Sequence, residues 1–355
     1  RTATWISETH EPTMSFVRLA SVGLVISLAC GGLIKALAVP PKMMPSLQGK
    51  VALVTGSSRG IGRGIALGLG ESKATVYVTG RSEQGVAETA AEVSKRGGKG
   101  IGVVCDHSND ESIKKLFARI EQEQPGGLDV LVHNAYAGVE PLFTNTDKKF
   151  WEKGADWWDK INNVGLRSHF ISSQLAVPLM LKGATKENPR LMVTVSSIGG
   201  SIYFLDVAYG AGKAGKDKMA FDMANELKEH NIASIGLWPG PVKTEYIQAN
   251  VLDNEVTSKS DSGKAFGKGE STIYSGFAVA ALARDQNVMS MTGKVMITED
   301  LGQRYGFREE DGSIPGNFLA PRFWLMVADI SAYKYVPAWI KIPKWVFHAA
   351  TGKLG

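Results

Sequence analysis

Cysteine is nearly absent: Cys30 and Cys105 are the only two in 355 residues, far apart and in different local settings. Two such thiols build neither a disulfide framework nor a zinc site, and they leave a core compatible with a reducing compartment. The six histidines form no cluster with metal-ligand spacing, so no metal is expected. No period of about 20 to 50 residues recurs, which excludes a solenoid or propeller. The net charge is +5, yet lysine and arginine are scattered rather than gathered into a stripe beside exposed aromatics, so nucleic acid is not an expected partner. What is abundant is glycine, 40 residues without a period, which excludes collagen and low-complexity chains. A turn-rich fold that brings backbone close to something is the reading left.

Charge is also missing from Leu19 to Ile34, "LASVGLVISLACGGLI". Continued past Lys35 through "ALAV", this segment reaches the roughly 20 residues that a bilayer span needs. A membrane helix within residues 14–39 is expected, with a signal-peptide core or a helix lying on the protein's own surface as alternatives. The chain begins at Arg1, which points to removal of an upstream targeting segment or to an incomplete chain, while Met14 keeps another start open. At the other end, Trp339, Ile340, Ile342, Trp345, Val346 and Phe347 interleave with Lys341 and Lys344, a mixture suited to a membrane interface or a surface clamp. Three parts are expected: an extension over 1–47, a central domain over 48–310, and an amphipathic tail over 311–355.

After the linker "PPKMMPS" short apolar runs alternate with helical periodicity. "KVALVTG", "ATVYVTG", "GIGVVCD", "LDVLVHNA", "RLMVTVSS", "IASIGLWPG" and "GKVMITED" read as strands. Between them the spacing predicts helices after the first strand and over 83–96, 109–123, 156–181, 207–230 and 270–283. Such alternation implies right-handed crossovers and a doubly wound, Rossmann-like α/β fold with a parallel sheet. Ligands then belong at the carboxyl ends of the strands.

The first strand runs into "TGSSRGIG", where Gly56, Gly60 and Gly62 permit a tight turn, close approach to a pyrophosphate and close helix packing. Later, "YGAGK" sets Tyr209 one helical turn before Lys213, a pair that is weak evidence by itself.

Together, "TGSSRGIG" and "YGAGK" make the chain resemble the classical short-chain dehydrogenase/reductase family over roughly residues 48 to 300. The resemblance implies an NADP(H)-dependent carbonyl reductase or alcohol dehydrogenase. It assigns the reaction to Asn163, Ser197, Tyr209 and Lys213, with Ser196 as the alternative serine. Lys213 is expected to lower the pKa of the Tyr209 phenol and to reach the nicotinamide ribose. Cofactor contacts are implied for Gly56, Ser58, Arg59, Gly60, Ile61, Gly62, Asp106, Asn134, Ala135, Lys213, Pro239, Gly240, Val242 and Thr244. The second strand ends in "TGRS", with Arg81 where an NAD-preferring member carries an acid; Arg81 and Arg59 can hold the extra phosphate of NADP.

Departures are visible too. Where the family shows Asn-Asn-Ala-Gly, "HNAYAG" carries His133 and Tyr136, and His133 is read as a structural replacement with a local hydrogen bond. A substrate lid is expected over 245–290, with Tyr246, Phe266, Tyr274 and Phe277 as its apolar surface.

The expected partners are an apolar carbonyl or alcohol such as a steroid or lipid, membrane lipid, and a homo-oligomer contact through the helices at 156–181 and 207–230 or the subunits of a membrane complex. The other reading is an accessory subunit of a membrane assembly that keeps bound NADP(H) with little or no turnover. A mitochondrial inner membrane is favoured over the endoplasmic reticulum.

Overall fold

A computed structural model describes residues 46–144, 148–337 and 340–343. The apolar segment 14–39, Trp339 and the tail from Lys344 onward lie outside the described residues. Among the described residues, no helix is long and apolar enough to cross a membrane. They divide into two compact units. The larger runs to Pro239 and resumes over Ser271–Ser313; the smaller comprises Gly240–Glu270 and the chain from Ile314 onward.

The larger unit is one parallel sheet of β1 (Val51–Val54), β2 (Thr75–Gly80), β3 (Lys99–Val104), β4 (Val130–His133), β5 (Arg190–Val195), β6 (Ile232–Trp238) and β7 (Val295–Ile297). Their spatial order is β3-β2-β1-β4-β5-β6-β7. The chain crosses from one edge back to the centre after β3, so the sheet reverses its winding between β1 and β4, where Ala52 to Val54 pair with Val130 to Val132. That switch point is where a doubly wound sheet opens a crevice at its carboxyl edge.

Strand periodicity decides which core each residue enters. Ala52 and Val54 join a cluster with Val76, Val78, Ile65 and Leu69, whereas Val51 and Leu53 join one with Tyr77, Ile113, Phe117 and Leu179. Both faces are therefore covered, as a parallel sheet requires. On the first face lie α1 (Gly60–Glu71) and, later in the chain, Thr272–Arg284, while α2 (Glu83–Lys95) follows β2 and α3 (Asp110–Glu123) follows β3. A side chain at Gly68 would run into the backbone of Gly276, and one at Gly64 into that of Thr272. Glycine costs about 1 kcal/mol per helical position, and here near-contact of two helix backbones offsets that cost.

The expected helix over 156–181 is broken in three. It forms α4 (Asp156–Asn162), a π-turn over Asn163–Arg167 and α5 (Ser168–Leu181). The interruption seats Gly165, whose missing side chain leaves room for the ring of Tyr136. The helix expected over 207–230 is α6 (Val207–Leu227), ending in a short 3-10 turn closed by left-handed Asn231. The helix expected at 270–283 is α7 (Thr272–Arg284), but Tyr274 and Phe277 on it are buried in the first core cluster against Phe307. These two rings are core residues and not part of a lid.

In the smaller unit, Glu270 binds back to the chain around Pro241: its N–H donates to Pro241 O, its carbonyl accepts from Lys243 N, and its carboxylate accepts from Gly240 N. Phe323 on the helix Pro321–Val327 is buried against Gly316, and Ile342 N donates to Leu319 O. The described part of the carboxyl-terminal segment is thus packed chain.

Candidate active site

The loop after β1 is held by the end of β4. Thr55 Oγ1 accepts from Asn134 N at 2.9 Å and Ala135 N at 3.0 Å, while Asn134 Nδ2 donates to Thr55 O at 3.0 Å and Gly56 O at 2.8 Å. Gly56 has φ +63°, and a Cβ there would stand 2.7 Å from Ala135 Cα, so both conformation and space demand glycine. A Cβ on Gly62 would collide with Asn134 and with Gly56 O. The loop delivers the chain to the amino end of α1, where Arg59 gives no side-chain cap. A helix start with no side-chain cap, beside a glycine cradle, fits a phosphate group, whose charge suits the positive end of the helix dipole.

Around this cradle, Ser58 packs beside Gly80 at the end of β2 and Ile61 leans on the first core cluster. Arg59 and Arg81 are exposed. Asp106 follows β3, and its carboxylate accepts from Ser108 N at 2.9 Å and Ser108 Oγ at 2.8 Å. These bonds hold it below the usual carboxylate range against partial burial, with Arg81 adding attraction.

On the other side of β4, Ser197 Oγ and Tyr209 Oη are 2.8 Å apart. Ser196, the alternative serine, instead donates to the carbonyl of Lys213 at 3.0 Å. Tyr209 is 9% exposed, and burial pushes its phenol up to about 12, opposed by the Ser197 hydrogen bond. The expected lowering by Lys213 does not prevail in this arrangement. Lys213 Nζ stands 5.4 Å from the Tyr209 ring centroid, and burial brings that ammonium down to about 8, which weakens it as a permanent cation. Asn163 opens the π-turn, half-buried, and is not among the hydrogen-bond partners of Ser197, Tyr209 or Lys213. Its neighbour Asn162 is the one fixed to α6, through Nδ2 to Ala208 O at 3.1 Å.

Four residues of this half were not singled out as functional from sequence. Asp206 caps α6, accepting from Ala208 N at 2.7 Å and Tyr209 N at 3.3 Å, and the same carboxylate pairs with Lys153 at 2.6 Å and Trp157 Nε1 at 3.1 Å. An aspartate immediately before an expected helix was the available signal. Tyr136 meets Tyr209 edge-on with centroids 6.3 Å apart. Lys216, one turn beyond Lys213, is buried with Nζ 3.4 Å from Val195 O, and its ammonium is lowered well below the usual range by burial and then by Lys213. Asp217 accepts from Trp238 Nε1 at 3.1 Å, and burial raises it to about 6. The run "KAGKDK" gave the spacing of these charges but not their burial.

His133 has the local bond expected of it, 2.8 Å to Ser173 Oγ, and its ring stacks on His169 at 5.1 Å. Burial holds it at about 3, hence neutral. Pro239 is buried just after β6. Gly240, Val242 and Thr244 belong to the smaller unit. There Val242 bridges to Glu270, and Thr244 caps the short helix Glu245–Ile247. Tyr246 and Phe266 are half-buried in the same unit.

A sequence profile described as short chain dehydrogenase matches residues 50–255. The chain is 41% identical over 318 residues to dehydrogenase/reductase SDR family member 1 of Homo sapiens, covering 88% of this chain and 100% of that protein. It is 29% identical over 211 residues to the 7alpha-hydroxysteroid dehydrogenase of Clostridium sardiniense, covering 59% and 77%. Among solved structures it resembles the Pseudomonas aeruginosa RhlG/NADP active-site complex, with TM-score 0.63 and 26% identity over 71% of this chain and 95% of that one. The chain belongs to the short-chain dehydrogenase/reductase family: it is an oxidoreductase acting on CH–OH and C=O groups, built to bind a nicotinamide cofactor.

Proposed function

We propose that this short-chain oxidoreductase moves hydride between NADP(H) and an apolar carbonyl–alcohol pair, a steroid or similar lipid, with Tyr209 as general acid and base. The observation that carries the reading is the 2.8 Å contact of Ser197 Oγ with Tyr209 Oη, one helical turn from buried Lys213. A bound nicotinamide supplies or takes up the hydride. The carbonyl oxygen then gains charge, and Tyr209 Oη gives it a proton while Ser197 Oγ donates a second hydrogen bond. Burial keeps the phenol protonated at neutral pH, which suits reduction over oxidation. Lys213, still largely protonated below about pH 8, stabilises the phenolate that remains.

NADP over NAD is supported by Arg81 directly after β2 and Arg59 before α1, two exposed guanidiniums with the planar donors that phosphate accepts. RhlG, the structural relative, is named as an NADP complex. An apolar substrate is supported by Tyr203, Phe204 and Leu205, all exposed, between Ser197 and Tyr209, with the Phe204 ring 6.3 Å from that of Tyr209. The hydroxysteroid named for the Clostridium sardiniense relative is of that class. Membrane attachment through residues 14–39, in the mitochondrial inner membrane, would place the site beside such substrates.

The test is NADPH and NADH oxidation by the full chain with steroid, prostaglandin-like and small aromatic carbonyls, beside Tyr209→Phe. Turnover that prefers NADPH and disappears in the variant is expected; tight NADPH binding without turnover contradicts the reading.

A further inference from the structure

The ring of Tyr136 has an unusual set of neighbours. The Nζ atoms of Lys213 and Lys216 each stand 5.1 Å from its centroid, and the Tyr209 ring meets it edge-on. It occupies space that a side chain at Gly165 would need, since a Cβ there would lie 2.5 Å from Tyr136 Cδ2. Its hydroxyl is buried and has no hydrogen-bond partner among the described residues. The ring, and not the hydroxyl, therefore makes the contacts.

Two amines this close, away from water, do not both hold a proton cheaply: burial and Lys213 push Lys216 well below its usual range, while the carboxylate of Asp217 and the hydrogen bond with Lys216 favour Lys213 as the cation of the pair. Burial raises Asp217 to about 6, so its support for the Lys213 cation fades as pH falls through that value. A further neighbour of the Lys213 Nζ that favours its cation is the uncharged ring face of Tyr136, 5.1 Å away. The face of an aromatic ring attracts ammonium through its quadrupole, more strongly where water is excluded. The remaining titratable groups around the pair give no help. His133 at the end of β4 and His169 on α5 are buried and neutral, and Tyr209 is itself a buried phenol.

We propose that Tyr136 is a positioning residue: its ring is the platform that keeps the Lys213 ammonium charged and beside Tyr209 while Lys216 is accommodated next to it. Gly165, on this account, leaves the room that ring needs. The inference rests on the roles given above to Tyr209 and Lys213.

The experiment uses Tyr136→Leu, which keeps bulk and loses the ring face, Tyr136→Phe, which keeps the ring, and Gly165→Ala, which pushes the ring aside without altering it. Lys213 is titrated by 15N-lysine NMR in the cofactor-free protein, and the pH–rate profile of carbonyl reduction is recorded beside it. In Tyr136→Leu the Lys213 midpoint should fall by about one unit, the alkaline limb of kcat should move down with it, and kcat should drop about tenfold. Gly165→Ala should move both readouts the same way. Tyr136→Phe should leave both in place and melt no lower than the wild type, because it removes an unpaired buried hydroxyl.

An unmoved Lys213 midpoint in Tyr136→Leu overturns the proposal, as does a Tyr136→Phe variant as impaired as the leucine. If Tyr136→Leu does not fold, Gly165→Ala takes its place, and an unmoved midpoint there overturns the proposal equally. Failure of the reaction itself shows separately, as a wild-type protein that reduces no carbonyl, and the titration does not depend on it.

Discussion

The two halves of the site that meet at the end of β4 are made of different material. On the β1 side, Thr55, Gly56 and Gly62 shape a cradle from backbone, with side chains excluded by contacts such as Gly56 against Ala135. On the α6 side, Tyr209, Lys213, Lys216 and Asp217 crowd ionisable groups into a space with little water. The first half reads its ligand by shape and dipole, so it should be nearly indifferent to pH. The second half works by protonation states that burial has moved, so its behaviour should follow pH closely.

The sharpest way to separate the halves is Tyr209→Phe. Turnover should fall by about 10²–10⁴-fold, the usual contribution of a positioned acid, while NADPH affinity measured by fluorescence stays unchanged. Next in size is Asp206→Ala, which strands buried Lys153 and uncaps α6. Breaking such a pair costs about 3–5 kcal/mol, readable by denaturant melts, and should disorder the Tyr209 half before the cradle. The Asp206 carboxyl lies below its ordinary pKa despite burial, because Lys153, Trp157 and Ala208 bind the charged form. Its stabilisation is therefore complete above the unfolded pKa, about 4, and is lost as pH falls through the lower folded value.

Gly56→Ala attacks the other half. It should cost about 1–3 kcal/mol through overpacking and strain, and weaken NADPH while leaving the pH profile of residual turnover as it was. A smaller effect is expected from Arg81→Ala, about tenfold weaker NADPH binding with NADH unaffected. Smallest near neutrality is the contribution of His107 and His133, held neutral by burial at about 4 and about 3. As pH falls below the unfolded value near 6.5, the unfolded chain takes up protons that these rings refuse, so stability should decline toward pH 4; His133→Asn should reduce that slope.

How much of this was legible beforehand follows the same division. The cradle was readable because glycine spacing after an apolar run is a backbone statement, and backbone demands are written one residue at a time. The strands and their order of use followed from apolar runs alternating with helical periodicity, but the break at Asn163 did not. The π-turn carries Gly165 against the ring of Tyr136, a contact between residues far apart in sequence that periodicity does not register. Ser197, Tyr209 and Lys213 were found through the family pattern, whereas nothing in the spacing of Lys216 marks it as buried, and only its place on α6 shows that it is. Tyr274 and Phe277 misled for a related reason: an aromatic on a helix near a site has the same spacing whether it faces substrate or core.

The central claim is that Tyr209 completes a hydride transfer to a carbonyl, and the most direct measurement follows the hydride. The full chain is given NADPH carrying deuterium at both C4 positions of the nicotinamide, together with a steroid ketone, and the alcohol is analysed by mass spectrometry. One deuterium on the carbinol carbon, with no labelled alcohol from Tyr209→Phe, is the predicted result. Unlabelled alcohol, or labelled alcohol formed equally well by Tyr209→Phe, would contradict the account.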